Sequence, residues 1–304
     1  TMLFLSLTNV VLALLAAPLL LGVVNRTKAF FAGRRGQPLL QAYYDLAKLL
    51  RKDAVYSRTT TWVFRAGPVV GLACALTAAA LAPLGGTRGL IAFPCDLILL
   101  AYLFGVMRFF TVAAALDTGS SFEGMGASRE VQFSALAEPA LLLGLAVVAR
   151  LTGELSLSGM FAALSPAAYA ASGPVLALVG VSFLVVVLAE NSRIPVDDPN
   201  THLELTMIHE VMVLDHGGPD FAFILYGAAL KLWVLGSLLV NVVLPVRTGS
   251  AALDLAAALA GMLCLAVLVG VIESCMARVR LLRVPQLLVG AVVVSGLAFV
   301  LLLR

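Results

Sequence analysis

The sequence predicts an all-α integral membrane protein, a bundle of about eight transmembrane helices with an amphipathic interfacial helix after the first span. Three observations predict it. Hydrophobic residues make up 61% of the 304 and charged residues 12%, with a mean hydropathy of +1.03, against roughly 45–50% apolar and about 25% charged in a soluble domain. The apolar residues lie in runs of about 20, the length that crosses a bilayer with every backbone group satisfied inside one helix. The cations concentrate in alternate connections between those runs.

The runs are Met2–Val24, Gly67–Leu84, Ile91–Leu116, Val131–Leu151, Gly173–Glu190, Phe221–Leu244, Ala251–Met276 and Gln286–Leu303. They form one membrane domain over residues 1–304, with connections on one side at 25–66, 117–130, 191–220 and 277–285. No basic stretch precedes the first run, and Asn25, Arg26 and Lys28 follow it, so it reads as a retained span and not as a cleaved signal. Those four connections carry 14 of the 20 Lys and Arg. Because Lys and Arg in loops favour the cytoplasm, the expectation is a cytoplasmic (inner) membrane protein with both termini outward. The net charge of +3 thus reflects orientation, and nucleic acid is not an expected partner. Cys74, Cys95, Cys264 and Cys275 have no ligand spacing and fall in or beside apolar runs, where Cys behaves as a small hydrophobe.

From Pro38 onward, Leu39, Tyr43, Leu46, Ala47 and Leu50 recur at helical spacing, while Gln41, Asp45, Lys48, Arg51 and Lys52 take the other side. Pro38 suits a first helical turn. An apolar face opposite a basic one suggests a helix in the bilayer interface; a solvated linker helix, or a floor for a partner, fits the same pattern.

Ionisable residues at bilayer depth face the bundle interior and find partners, because each costs roughly 2.5–3.5 kcal/mol on insertion scales. Arg108, Glu138, Lys231 and Glu273 sit inside or near the ends of runs, and Asp96, Asp117 and Asp254 near ends, where snorkelling to the interface is expected. Arg108 and Lys231 read either as a buried ion pair or as part of a proton or ion relay. Glu138 precedes Pro139, whose missing N–H frees a carbonyl for a water or side chain.

The densest polar cluster is "VLAENSRIPVDDPNTHLELTMIHEVM", Val187 to Met212. Pro195 and Pro199 prevent a regular helix, and Asn200 or Thr201 is placed to cap a new one. On that helix His202 and His209 share a face, while Glu204 is turned about 200° from His202. The histidines are seven residues apart and not four, so a metal site is not expected.

"AENSRIPVDDPNTHLEL" resembles the loop between spans five and six of the subunit 1 family of respiratory complex I, a membrane component of NADH-quinone oxidoreductase. "NTHLELTMIHEVMVLDHGGPD" is more similar to the homologous membrane subunit of group 4 nickel–iron (NiFe) hydrogenases, including formate hydrogenlyase and hydrogenase-4. "GRRGQPLLQAYYDLAKLLRKD" resembles the family's motif after the first span, and "SSFEGMGASRE" and "RVPQLL" match more weakly.

The resemblance implies a subunit without a redox centre or active site of its own, joining a membrane arm to a cytoplasmic arm. The Ni–Fe centre and iron–sulfur clusters would lie in partner subunits, the hydrogenase large and small (iron–sulfur) subunits. Antiporter-like subunits and the lipid bilayer would flank this chain. By position, Glu190, Arg193, Asp197 and Glu204 match the loop pattern, and Asp45 and Lys48 the first-loop pattern. Expected relay residues are Glu138, Glu190, Glu204, His202, His209, Glu210, Arg108, Lys231 and Glu273. Docking residues are Arg193, Asp197, Asp198, Asp45, Lys48, Arg34 and Arg35. A quinone-chamber role in a complex I-like enzyme is the alternative, and "TMIHEVMVLDHGGPD" departs from it. A free-standing transporter, in which paired broken helices and internal repeats are common, is a third reading; no clear repeat is evident.

Overall fold

A computed structural model describes residues 2–197, 207–245 and 247–303. Its elements are α1 (Met2–Phe31), α2 (Gln41–Leu49), α3 (Trp62–Leu81), α4 (Asp96–Asp117), α5 (Ser121–Thr152), α6 (Leu157–Ala163), α7 (Pro166–Glu190), α8 (Gly218–Val243), α9 (Ala251–Cys275) and α10 (Val284–Leu302), with 3-10 turns at Glu210–Val213 and Leu281–Arg283. Among the described residues eight helices are long and apolar enough to cross a membrane. The chain is a multi-pass membrane protein.

α8 is the axis. The core of that helix is 72% buried, against 17% for α4, and Trp233 and Leu230 on it are enclosed. Apolar surface drives little association between helices already in lipid, so close backbone approach and polar glue hold the bundle. Gly144 of α5 leaves room for the Phe183 ring of α7. On α10, the Ser295 hydroxyl donates to Ala140 O at 3.0 Å and lies 2.7 Å from Ser182 Oγ, which donates to Ala291 O at 2.9 Å. Pro18 inside α1 has no N–H for the Leu14 carbonyl; the Tyr226 hydroxyl of α8 donates to that carbonyl at 2.9 Å.

The connections segregate. One end collects those between α1 and α3, α4 and α5, α7 and α8, and α9 and α10. There Val279 N donates to Pro195 O at 2.9 Å, and Gly218, at φ +55°, lies so close to Asp53 O that a Cβ would stand 2.7 Å from it. At the other end Asn241 donates to Pro83 O at 2.8 Å and Arg247 to Phe161 O at 2.6 Å.

Several expected boundaries move. α1 continues to Phe31, so Asn25, Arg26 and Lys28 are helical. The expected connection 117–130 is mostly the first turns of α5, which begins at Ser121. The fifth span starts at Pro166, seven residues before the expected Gly173, and breaks at Ser172, two residues before Pro174. Asp96 and Asp254 do not snorkel: each is buried and accepts from a backbone N–H, that of Leu157 at 2.6 Å and that of Thr248 at 2.7 Å. Asp117 accepts from the backbone of Thr61 and Phe64, capping α3. A carboxylate at a helix start is worth more than one left in the interface, since the first-turn N–H groups have no other partner.

Candidate functional site

On α5 the side chains of Glu130, Ser134 and Glu138 recur every four residues and share one face. That face meets α4 at Arg108 and the last residue of α7, Glu190. Arg108 reaches all three carboxylates: Glu130 at 3.4 Å, Glu190 at 2.9 Å, and Glu138 through Nη1. Lys231 of α8 closes on Glu190 from the other side at 2.6 Å.

The array continues out of the spans. His209 Nε2 lies 2.9 Å from Glu130 Oε2, and its Nδ1 3.4 Å from Asp197 Oδ2. Arg278 of the last connection meets Asp197 Oδ1 at 2.9 Å. The result is one chain of alternating sign from Arg278 through Asp197, His209, Glu130, Arg108 and Glu190 to Lys231, with Glu138 as a branch. Burial alone would lower the His209 pKa, but the carboxylates of Glu130 and Asp197 overcome it and push it up to about 10. His209 is therefore a cation at neutral pH. Burial would likewise raise Asp197, yet its hydrogen bond to His209 holds it below the ordinary carboxylate range. With His209 charged, four cations face four anions, which is how so many charges can be buried together.

Glu138 is the exception to that burial. Its side chain is 42% exposed, against 8% for Glu130 and Glu190, although it lies in the middle of α5. Two voids flank the array, of about 10 Å³ beside Glu130, Ser134, Glu190 and His209, and about 20 Å³ beside Phe104, Arg108, Glu138 and Glu190. Each has room for about one water; a drug-sized ligand needs roughly 300 Å³ or more.

A second cluster is separate. The Glu273 side chain of α9 is fully buried, paired with Lys28 of α1 at 2.8 Å and Arg193 at 3.3 Å. It ties the start of the α7–α8 connection to the ends of two spans.

Of the expected residues, Arg108, Glu138, Glu190, Lys231, His209 and Asp197 thus come together, and Arg193 and Glu273 form the second cluster. His209 is not on a helix but precedes the 3-10 turn that Glu210 opens. His202, Glu204 and Asp198 lie outside the described residues. Arg34, Arg35, Asp45 and Lys48 belong to the α1–α3 connection and lie apart from the array; Arg35 O accepts from Arg26 at 2.6 Å, and Asp45 accepts from Gln41 at 2.8 Å. Sequence reasoning missed Glu130, Lys28 and Arg278. The eight-residue interval from Glu130 to Glu138, with Ser134 between, was a usable signal for the first, hidden by ending the connection at residue 130.

Known proteins share this framework. A family model described as NADH dehydrogenase matches residues 4–304. Formate hydrogenlyase subunit 4 of Escherichia coli (strain K12) is 34% identical over 294 residues, 94% of each chain. Hydrogenase-4 component C of the same organism is 33% identical over 240 residues, 79% of this chain and 75% of that one. A membrane component of the NADH-quinone oxidoreductase of Syntrophotalea carbinolica is 30% identical over 211 residues, 66% and 62% of the two chains. A chain from the structure of the membrane-bound sulfane sulfur reductase (MBS), an archaeal respiratory membrane complex, shares the fold with TM-score 0.80 at 18% identity, over 98% of each chain. The resemblance carried by the connecting motifs is borne out, and the chain belongs to the NADH dehydrogenase family, similar to the membrane subunits formate hydrogenlyase subunit 4 and hydrogenase-4 component C.

Proposed function

We propose that this chain is the membrane-anchoring and proton- or ion-coupling subunit of a multisubunit hydrogenase of the formate hydrogenlyase type. The end that gathers the basic connections is cytoplasmic by the positive-inside rule, which puts both termini outward in the inner membrane. That end docks the redox arm, whose partner subunits hold the Ni–Fe centre and iron–sulfur clusters. The observation that carries the coupling role is the unbroken ion-pair chain from Asp197 and His209, in the α7–α8 connection that serves as the docking segment of this proposal, to Glu138 in mid-span. A movement of the docking segment changes the distance between His209 and Glu130. That distance sets the charge balance around Arg108 and Glu190, where neighbouring charges act with little screening. A half-exposed carboxylate in mid-span is costly in lipid, so Glu138 marks the face covered by an antiporter-like subunit.

Water-sized voids support coupling over substrate binding at this site. The test is to purify the complex through a tag on this chain and measure nickel, hydrogen evolution and ion uptake into vesicles. Glu130→Gln should leave nickel in place and uncouple ion uptake from hydrogen evolution. Unchanged coupling would reject the relay, and a quinone reductase without nickel would select the complex I-like role.

A further inference from the structure

A cavity of about 170 Å³ lies between α1, α2 and α8, far larger than the voids in the charged array. Its inner part is walled by Pro18, Leu21, Leu225 and Ala229, its outer part by Asn25, Gln37, Gln41 and Asp45. Asn25 and Pro18 are seven residues apart on α1, about 10 Å at the helical rise, so the cavity runs from the headgroup level into the acyl region. None of the described residues lining its polar end is a cation. Asp45 lines the space, accepts one hydrogen bond from Gln41 and forms no ion pair among the described residues. The opening is built in. Gly22 lets the Leu39 carbonyl lie against α1, and Tyr43 of α2 donates to Leu15 O beside the Leu14 carbonyl that Tyr226 takes.

We propose that this cavity binds an aminophospholipid, with its primary ammonium on Asp45 and the start of an acyl chain between Leu21 and Leu225. The chemistry selects the headgroup. A carboxylate only accepts, and an ammonium only donates and carries the opposite charge. A quinone head offers carbonyl oxygens, which repel that carboxylate, and an anionic headgroup without an amine is repelled outright. A lipid held here wedges α2 against α1 and α8.

The test uses the intact complex in nanodiscs of equal phosphatidylethanolamine and phosphatidylglycerol, with retained lipid identified by native mass spectrometry. Phosphatidylethanolamine should be enriched roughly threefold in the retained fraction, as one partly exposed ion pair provides. Asp45→Asn, nearly isosteric, should abolish the preference and Asp45→Lys reverse it. Should the variants fail to assemble, a phosphatidylethanolamine with a photoreactive acyl chain should label peptides containing Leu21 or Leu225 of the wild-type chain. No amine preference in wild type, the same preference in Asp45→Asn, labelling confined to other helices, or displacement of the lipid by a short-chain ubiquinone would each overturn the proposal.

Discussion

Glu130 and His209 meet at 2.9 Å, and this contact joins the charges within the spans to those of the connection after α7. Glu130 is fixed on α5, whereas His209 sits on a segment that packs by Ile208, Val211 and Met212 against α5 and α4. The pair thus joins a membrane-spanning helix to a connection outside the spans.

The joint sets a pH window. His209 is raised above its unfolded value near 6.5, so its contribution is complete below that value and is lost as pH rises through about 10. Asp197 is depressed, so its contribution is present above its unfolded value and lost as pH falls through the lower folded one. Hydrogen exchange of residues 207–213, corrected for its intrinsic pH dependence, should show constant protection below about pH 6.5 and an alkaline step in which protection falls progressively from there to about pH 10. His209→Gln should abolish the alkaline step; if the step persists, His209 is not its source.

Arg108 contacts three carboxylates. Removing one partner of a buried pair costs about 3–5 kcal/mol, because the remaining charge stays buried, so Arg108→Gln should lower the thermal midpoint of the detergent-solubilised complex by many degrees. Arg108→Lys keeps the charge without the fork and should fall between. Equal midpoints for all three proteins would show that the carboxylates are neutral without arginine.

Gly126 lets α5 touch the segment that carries Ile208 and Val211. A Cβ there would stand 2.8 Å from Ile208 O and run into Val211. Gly126→Leu should displace the 207–213 segment, raise its proteolytic nicking and uncouple ion uptake, while the eight spans still insert; overpacking typically costs about 1–3 kcal/mol. An unchanged cleavage pattern would refute the contact.

Glu273→Gln deprives Lys28 and Arg193 of their shared anion. Protection at residues 191–197 should fall by roughly tenfold, the equivalent of one charged hydrogen bond, with little change at 207–213. Loss of protection at both would mean that the two clusters are one unit.

The spans and α2 were legible because apolar runs and a two-faced helix follow from local spacing. Lys28 and Glu130 were not, for a common reason. Each lies on a helix that continues past the apolar run, and only a partner distant in sequence shows that it is buried: Glu273 for Lys28, His209 and Arg108 for Glu130. The ends of spans misled likewise. Asp96 looked like an interfacial charge, and the backbone of Leu157, 61 residues on, turned it into a cap.

The order of the array along the chain bears on how the protein enters the membrane. Arg108 lies on α4, and its partners Glu130 and Glu138 arrive on the next long helix, so the hairpin of α4 and α5 can leave the insertion machinery with its arginine already neutralised. Glu190 and Lys231 sit on α7 and α8, and form a second such hairpin. Lys28 must wait from α1 until α9 delivers Glu273. It waits at a helix end where water still reaches it, 23% exposed even in the finished fold. Charges deep in the bundle meet their counter-ions within a helix or two of synthesis, and the long delay falls where it costs least.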